Sequence, residues 1–255
     1  MAETMRAALD DGTGQYIVQD IPMPEMYEGS AMIRIYQTGI CGSDLHVTAA
    51  RTEAQTLPSG HEIAGEILEL PKGETNLKVG DRVAVEMIGG GRACLNCHFC
   101  RYGQWKHCMN PAPDTGGGFA QYITRKPAGL FKLPDSLDWI DGGLVEPMAV
   151  SVHGLRFGRM QPDDVVGVVG SSTIGLSSIA AAKAFGARTV IASARHPHQA
   201  DAAKKMGADI VVDSEDGAFE AACLDASNGI GADFVVESVG GHQSESFTQA
   251  IKATR

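Results

Sequence analysis

Four cysteines lie within fifteen residues, as Cys94-x2-Cys97-x2-Cys100-x7-Cys108, and no other feature restricts this chain as strongly. The chain has six cysteines in all, and Glu3, Arg6 and Asp10 break the charged, apolar and small-residue order of a secretion signal. Without such a signal, clustered thiols point to a metal before a disulfide. Tetrahedral zinc takes four soft donors at separations this short. An iron–sulfur cluster is the rival, because three cysteines at x2 spacing also open the bacterial ferredoxin run. There the fourth follows after three residues and precedes proline; here it follows after seven and precedes Met109. Reduced, unligated thiols are the plain alternative, but free cysteine tends to be buried, and this loop carries Asn96, His98, Arg101 and Lys106. The spacing reads as a structural zinc site on Cys94, Cys97, Cys100 and Cys108.

The texture of the chain changes near residue 150, which predicts one unit over 1–150 and another over 151–255. Before that point, short apolar stretches broken by Gly, Pro and Asp (Ala31–Tyr36, Ile63–Leu70, Arg82–Met87, Ala120–Thr124) predict a small all-β unit. After it, strands Val165–Val169, Thr189–Ser193, Ile210–Val212 and Phe234–Glu237 alternate with helices over Ile174–Phe185, Gln199–Met206, Ala218–Ala226 and Gln243–Lys252. That alternation predicts a parallel, doubly wound α/β sheet. The 31 glycines in 255 residues exceed the typical usage of roughly 7% and suit tight turns and nucleotide loops.

A net charge of −10 without any basic cluster argues against nucleic acid and anionic membrane surfaces as partners. The uncharged run Val165–Ala182 carries Ser171, Ser172, Thr173, Ser177 and Ser178 in place of a membrane-span composition. A cytoplasmic location is the expectation.

A second metal site is suggested by Cys41 in Thr38-Gly-Ile-Cys-Gly-Ser-Asp-Leu-His46 and by Gly60-His61-Glu62. Thiolate, imidazole and carboxylate form a mixed donor set that leaves one zinc position open, as catalytic sites do. Each piece alone is weak, since a single Cys is more often a small core residue.

Together with Gly80-Asp81-Arg82-Val83, Gly117-Gly118-Phe119-Ala120-Gln121-Tyr122 and Leu144-Val145-Glu146-Pro147, these segments resemble the zinc-dependent medium-chain dehydrogenase/reductase family. This is the family of the alcohol, polyol and threonine dehydrogenases. The resemblance runs in family order along the chain. It implies a GroES-like β-barrel catalytic domain followed by a Rossmann domain, and two zinc ions per chain. It makes Cys41 and His61 ligands of the catalytic zinc and Glu62 a ligand or an exchanging carboxylate. Glu146 falls where one subgroup has Cys and is a further ligand of that zinc by the same resemblance. Ser43 would hydrogen-bond the substrate oxygen and His46 would pass its proton to solvent; a helix cap and a surface histidine are the plain alternatives. The chemistry implied is hydride transfer between an alcohol and NAD(P), with zinc lowering the alcohol pKa.

The cofactor segment Gly170-Ser171-Ser172-Thr173-Ile174-Gly175 follows a strand and opens a helix, where backbone N–H groups meet a pyrophosphate. Ser172 replaces the middle glycine of the fingerprint, and Ser171 or Ser172 could offer a hydroxyl to phosphate. After the second strand, Ala194 stands where NAD-dependent relatives have Asp. Arg195, followed by His196, can bond a phosphate, which favours NADP over NAD; stacking of Arg195 on adenine would leave both acceptable.

A complete sheet of this type has six strands, and two βα units, roughly 60 residues, are not present here. The sheet is therefore expected to be incomplete, with Phe234–Glu237 as an apolar edge. The family pairs as homo-oligomers through a strand in that missing part. The expectation is an oxidoreductase acting on a small alcohol or polyol, the alternative a catalytically silent, truncated zinc-binding homologue that works through subunit pairing.

Overall fold

The computed structural model describes residues 3–73, 76–215, 217–241 and 244–255. It divides after Glu146 into two compact units.

In the first unit, β1 (Thr4–Asp10) and β2 (Tyr16–Pro22) form an antiparallel hairpin. Next come β3 (Ala31–Gly39), α1 (Gly42–Ala50), β4 (Glu62–Glu69), β5 (Arg82–Val85), α2 (His98–Arg101), β6 (Tyr122–Arg125), β7 (Leu130–Lys132), α3 (Trp139–Gly143) and the start of α4 (Val145–Phe157). The strands β6-β3-β4-β5-β7 make one antiparallel sheet. Its core is Ala31, Ile33, Ile63, Ile67, Val83, Val85, Ile123 and Leu130. Each of its Ile, Val and Leu side chains contributes on the order of 1.5–3 kcal/mol by leaving water.

β3 runs on to Gly39 and pairs it with Glu62, the first residue of β4. That last rung carries the ends of the two strands to the site described below. The β1–β2 hairpin has no sequence signal because β2 does not alternate: Ile17 and Val18 are both exposed. Residues 47–50 form the last turn of α1. This helix lacks an apolar stripe, since it buries Asp44 and Thr48 and exposes Leu45 and Val47.

The second unit alternates β8 (Val165–Val169), α5 (Thr173–Ala184), β9 (Thr189–Ala194), α6 (Pro197–Lys205), β10 (Ile210–Asp213), α7 (Ala218–Ala226), β11 (Phe234–Glu237) and α8 (Glu245–Ala253). All pairings are parallel, in the order β10-β9-β8-β11. β8 is buried throughout: Val166 and Val168 join one core layer and Val165 and Val169 the other, as a sheet covered on both faces requires. α6 starts at Pro197, two residues before the expected Gln199, with proline in its favoured first-turn position. Gln243, given as the start of the last helix, lies outside the described residues. β11 pairs only with β8 and forms one edge of the sheet among the described residues. No helix among them is long and apolar enough to cross a membrane.

Candidate active site

The Gly39–Glu62 rung brings Cys41 beside His61 and Glu62, twenty and twenty-one positions on. Cys41 caps the N-terminus of α1, His61 immediately precedes β4, and Glu62 opens it. One ligand atom from each of Cys41, His61 and Glu62 lies within 4.8 Å of the other two. A soft thiolate, an imidazole and a carboxylate in this arrangement fit a zinc ion with an open position.

Asp44, buried in the first turn of α1, organises the set. Its carboxylate accepts the backbone N–H of Cys41 at 3.0 Å, and its Oδ1 lies 3.6 Å from His61 Nδ1. A carboxylate on the Nδ1 side leaves Nε2 to face a metal. Asp44 has no role in the sequence reading. The available signal is an acid three residues after a helix-capping position, able to reach back to the cap backbone.

Burial pushes the Glu62 carboxyl above its ordinary range and Asp44 adds to the shift, against His61 and a hydrogen bond with Cys41. Glu146, in the first turn of α4, is likewise raised by burial, with His61 opposing and Glu62 and Asp44 adding. It lies outside the 4.8 Å cluster of Cys41, His61 and Glu62, yet stands with His61 in the wall of a cavity of about 760 Å³. Ser43 lines the same cavity, whereas His46, one turn further along α1, is exposed and not in the wall.

Gly39 is the other positioning element. A Cβ there would overlap Glu62 Oε2, so the bare Cα is what lets the carboxylate lie against the end of β3. Gly39→Ala is expected to displace Glu62 from the cluster. Cobalt substitution followed by visible spectroscopy should show altered coordination and weaker metal retention at this site; an unchanged cobalt spectrum would refute the role.

The four-cysteine lobe forms an independent cluster, with Sγ atoms of Cys94, Cys97, Cys100 and Cys108 all within 4.8 Å of one another. Cys97 Sγ is 3.4 Å from Cys100 Sγ, and the backbone N–H groups of Cys94, Cys97 and Met109 donate to Cys108, Cys94 and Cys97. Leu95 holds a left-handed φ of 58° in the tight turn between the first two cysteines. N–H donation from Met109 and Cys100 lowers the Cys97 thiol to about 6, while burial pushes Cys100 up to about 12. The cluster thus favours thiolate at Cys97, and four sulfurs at this spacing are a zinc donor set.

In the second unit, Gly170 turns at φ +93°, and a Cβ on Gly175 would overlap the Gly170 carbonyl, so both glycines are required for the tight strand-to-helix passage. Ser171 is buried and its hydroxyl donates to the Ser193 carbonyl at 2.8 Å, while Gly170 N–H donates to Ser193 Oγ at 3.0 Å. Ser172 is exposed at the N-cap of α5, followed by exposed Thr173 and half-buried Ile174. Beyond β9, Arg195 and His196 are exposed, and the His196 ring stacks on His198 with centroids 5.5 Å apart.

Comparison with known proteins matches residues 27–135 to the alcohol dehydrogenase GroES-like domain and residues 173–255 to the zinc-binding dehydrogenase family. Sorbitol dehydrogenase of Bacillus subtilis is 36% identical over 219 residues, 82% of this chain and 61% of that protein. L-threonine 3-dehydrogenase of Pyrococcus horikoshii is 34% identical over 242 residues, 90% of this chain and 68% of that one. The structure of 2R,3R-butanediol dehydrogenase from Bacillus subtilis matches with a TM-score of 0.79 at 32% identity, over 98% of this chain and 74% of that chain. A zinc-binding dehydrogenase from Sinorhizobium meliloti bound to NADP matches with a TM-score of 0.85 at 26% identity, over 99% and 74%. The chain spans about three fifths of the length of the first curated relatives it matches, 61% and 58%.

Proposed function

The chain belongs to the zinc-dependent medium-chain dehydrogenase/reductase family, and from that premise we propose that it transfers hydride between an alcohol and NAD(P). The substrate class is a polyol, a secondary alcohol or a hydroxy amino acid. The observation that carries this reading is the convergence of Cys41, His61 and Glu62 within 4.8 Å of one another beside the cavity lined by Ser43 and Glu146. These residues hold one zinc, with Glu146 as the further carboxylate, and the four-cysteine lobe holds a second. When bound, zinc supplies a Lewis acid and the nucleotide a hydride acceptor.

The remaining work falls to the chain. Ser43 accepts the substrate hydroxyl proton at the cavity wall and gives up its own to His46, three residues on along α1, which releases it to solvent. Asp44 stands on the Nδ1 side of His61, and Gly39 makes room for Glu62. In the second unit, the first turn of α5 offers its N–H groups to the pyrophosphate, with Gly170 and Gly175 shaping the approach. Ser172, Thr173 and Ile174 line that turn. Because the Ser171 hydroxyl is engaged with Ser193, Ser172 is the serine that bonds phosphate.

NADP is the preferred nucleotide, with Arg195 and His196 beside its 2′-phosphate and no acid at Ala194 to exclude it. Ala194→Asp is expected to weaken NADPH binding about tenfold or more while leaving NADH binding equal or tighter, as read by fluorescence titration. Equal losses for both nucleotides would refute the preference. The activity itself is tested with sorbitol, threonine and 2,3-butanediol on the zinc-loaded chain, following NADPH formation; no turnover with any alcohol and either nucleotide overturns the proposal. A catalytically silent homologue acting through subunit pairing is not favoured, because the relatives matched are named as dehydrogenases.

A further inference from the structure

Three arginines stand in the wall of the cavity beside Cys41, His61 and Glu62, and their tethers differ. Arg92 is spent: Nη1 pairs with Asp114 at 3.0 Å, and Nε and Nη2 donate to the Ala112 carbonyl. Arg125 is completely buried. Its Nη1 donates to Thr115 Oγ1 at 2.8 Å and the Thr124 carbonyl at 2.7 Å, and its Nη2 to the Gly116 carbonyl at 2.6 Å and Met87 Sδ at 3.4 Å. Its Nε is buried without a partner, and no carboxylate among the described residues lies within 4.0 Å. Burial lowers its pKa to about 10, so it remains a cation at neutral pH.

Arg51 ends α1. Its Nε lies 3.4 Å from Oδ2 of Asp10, a fully buried carboxylate whose Oδ1 accepts the Gly12 N–H at 2.8 Å. The side chain is 30% exposed, and no bond within the described residues engages its Nη1 and Nη2. The result is a guanidinium in the cavity wall that is drawn to Asp10 by charge and not by a hydrogen bond, since neither Arg51 Nε nor Asp10 Oδ2 has a hydrogen-bond partner among the described residues, and its outer donors are unengaged. A fork of this kind matches the oxygens of a carboxylate or phosphate. The acids of the wall do not take it: Asp44 is turned to Cys41 and His61, Asp114 to Arg92, and Glu146 to the surroundings of His61 and Glu62. The nine-residue helix α1 separates Arg51 from Cys41, ten positions and about 15 Å at 1.5 Å per residue, and a long side chain shortens that gap.

We propose that Arg51 is a specificity residue that takes an anionic group, carboxylate or phosphate, carried by the substrate several bonds from its reacting hydroxyl. The buried guanidinium of Arg125 adds a second cation to the same wall, with Asp114 as its leading charged neighbour. This assignment rests on the dehydrogenase reading of the same cavity and narrows its substrate to an anionic hydroxy compound.

The test is calorimetric titration of the zinc-loaded full chain with gluconate, sorbitol 6-phosphate and neutral sorbitol, in wild type, Arg51→Met and Arg51→Lys. At least one anion should bind about tenfold or more tightly than sorbitol, and the better of the two identifies carboxylate or phosphate. Arg51→Met should abolish the difference without changing zinc content or sorbitol binding, and Arg51→Lys should keep part of it. Equal binding of all three compounds overturns the assignment. So does an anion preference that survives Arg51→Met, which would place the anion on the metal cluster. Since Arg51→Met strands a buried carboxylate, Asp10→Asn/Arg51→Met serves in its place if the single variant does not fold. Binding is read without turnover, so anion binding through Arg51 with no alcohol oxidised sinks the dehydrogenase reading alone. Sorbitol oxidised with no anion preference sinks the Arg51 assignment alone.

Discussion

Cys94→Ser is expected to lower the melting temperature by roughly 10 °C and to release one zinc per chain while the Cys41 site keeps its own. The lobe from Cys94 to Cys108 contains only the single turn of α2 and a short 3-10 turn at Trp105–His107, so little besides its cluster holds it. Its backbone N–H groups point at sulfur: Cys94 at Cys108, Cys97 at Cys94, Met109 at Cys97. Without metal, those donors and a buried Cys100 thiol remain in an arrangement suited to thiolates with no cation to balance them. A loss of a few kcal/mol in a chain of this size shifts the midpoint by about 2–4 °C per kcal/mol. Calorimetry with parallel zinc analysis measures both effects, and an unchanged midpoint would remove the structural role.

The second large effect is kinetic. His61→Ala is expected to reduce kcat by about a thousandfold, on the order of 4 kcal/mol of barrier, while the melting temperature stays within a few degrees of wild type. His61 lies at a strand entrance, is half-buried, and has the Asp44 carboxylate 3.6 Å from its Nδ1. Its loss therefore removes a ligand without opening the sheet. Steady-state rates and thermal melts on the same preparation separate the two sites; a thermal loss equal to that of Cys94→Ser would show that they are not distinct.

Much of the fold was legible because its signals are local. Cysteine spacing alone brings the lobe together, and the apolar runs Val165–Val169 and Thr189–Ser193, each followed by a helix and a glycine, predict the parallel unit that β8 and β9 form. Residues whose role depends on register were not. Cys41 and Glu62 meet because β3 pairs Gly39 with Glu62, a one-residue choice that periodicity does not encode. Ser171 and Ser172 are equivalent in sequence, yet only the first faces Ser193 on the neighbouring strand. Helix α1 hid for a different reason: it buries Asp44 and Thr48 for the site's sake and so breaks the apolar pattern by which helices are recognised. Arg51 and Asp10 are forty-one positions apart and pair only through the folded loop.

The most direct measurement is the number of zinc ions and of NADPH molecules bound per chain in one purified sample, by elemental analysis and nucleotide titration. The account predicts two zincs and one NADPH, bound more tightly than NADH. Two zincs with neither nucleotide bound would contradict it, leaving a chain with the metal chemistry of a dehydrogenase and not its reaction.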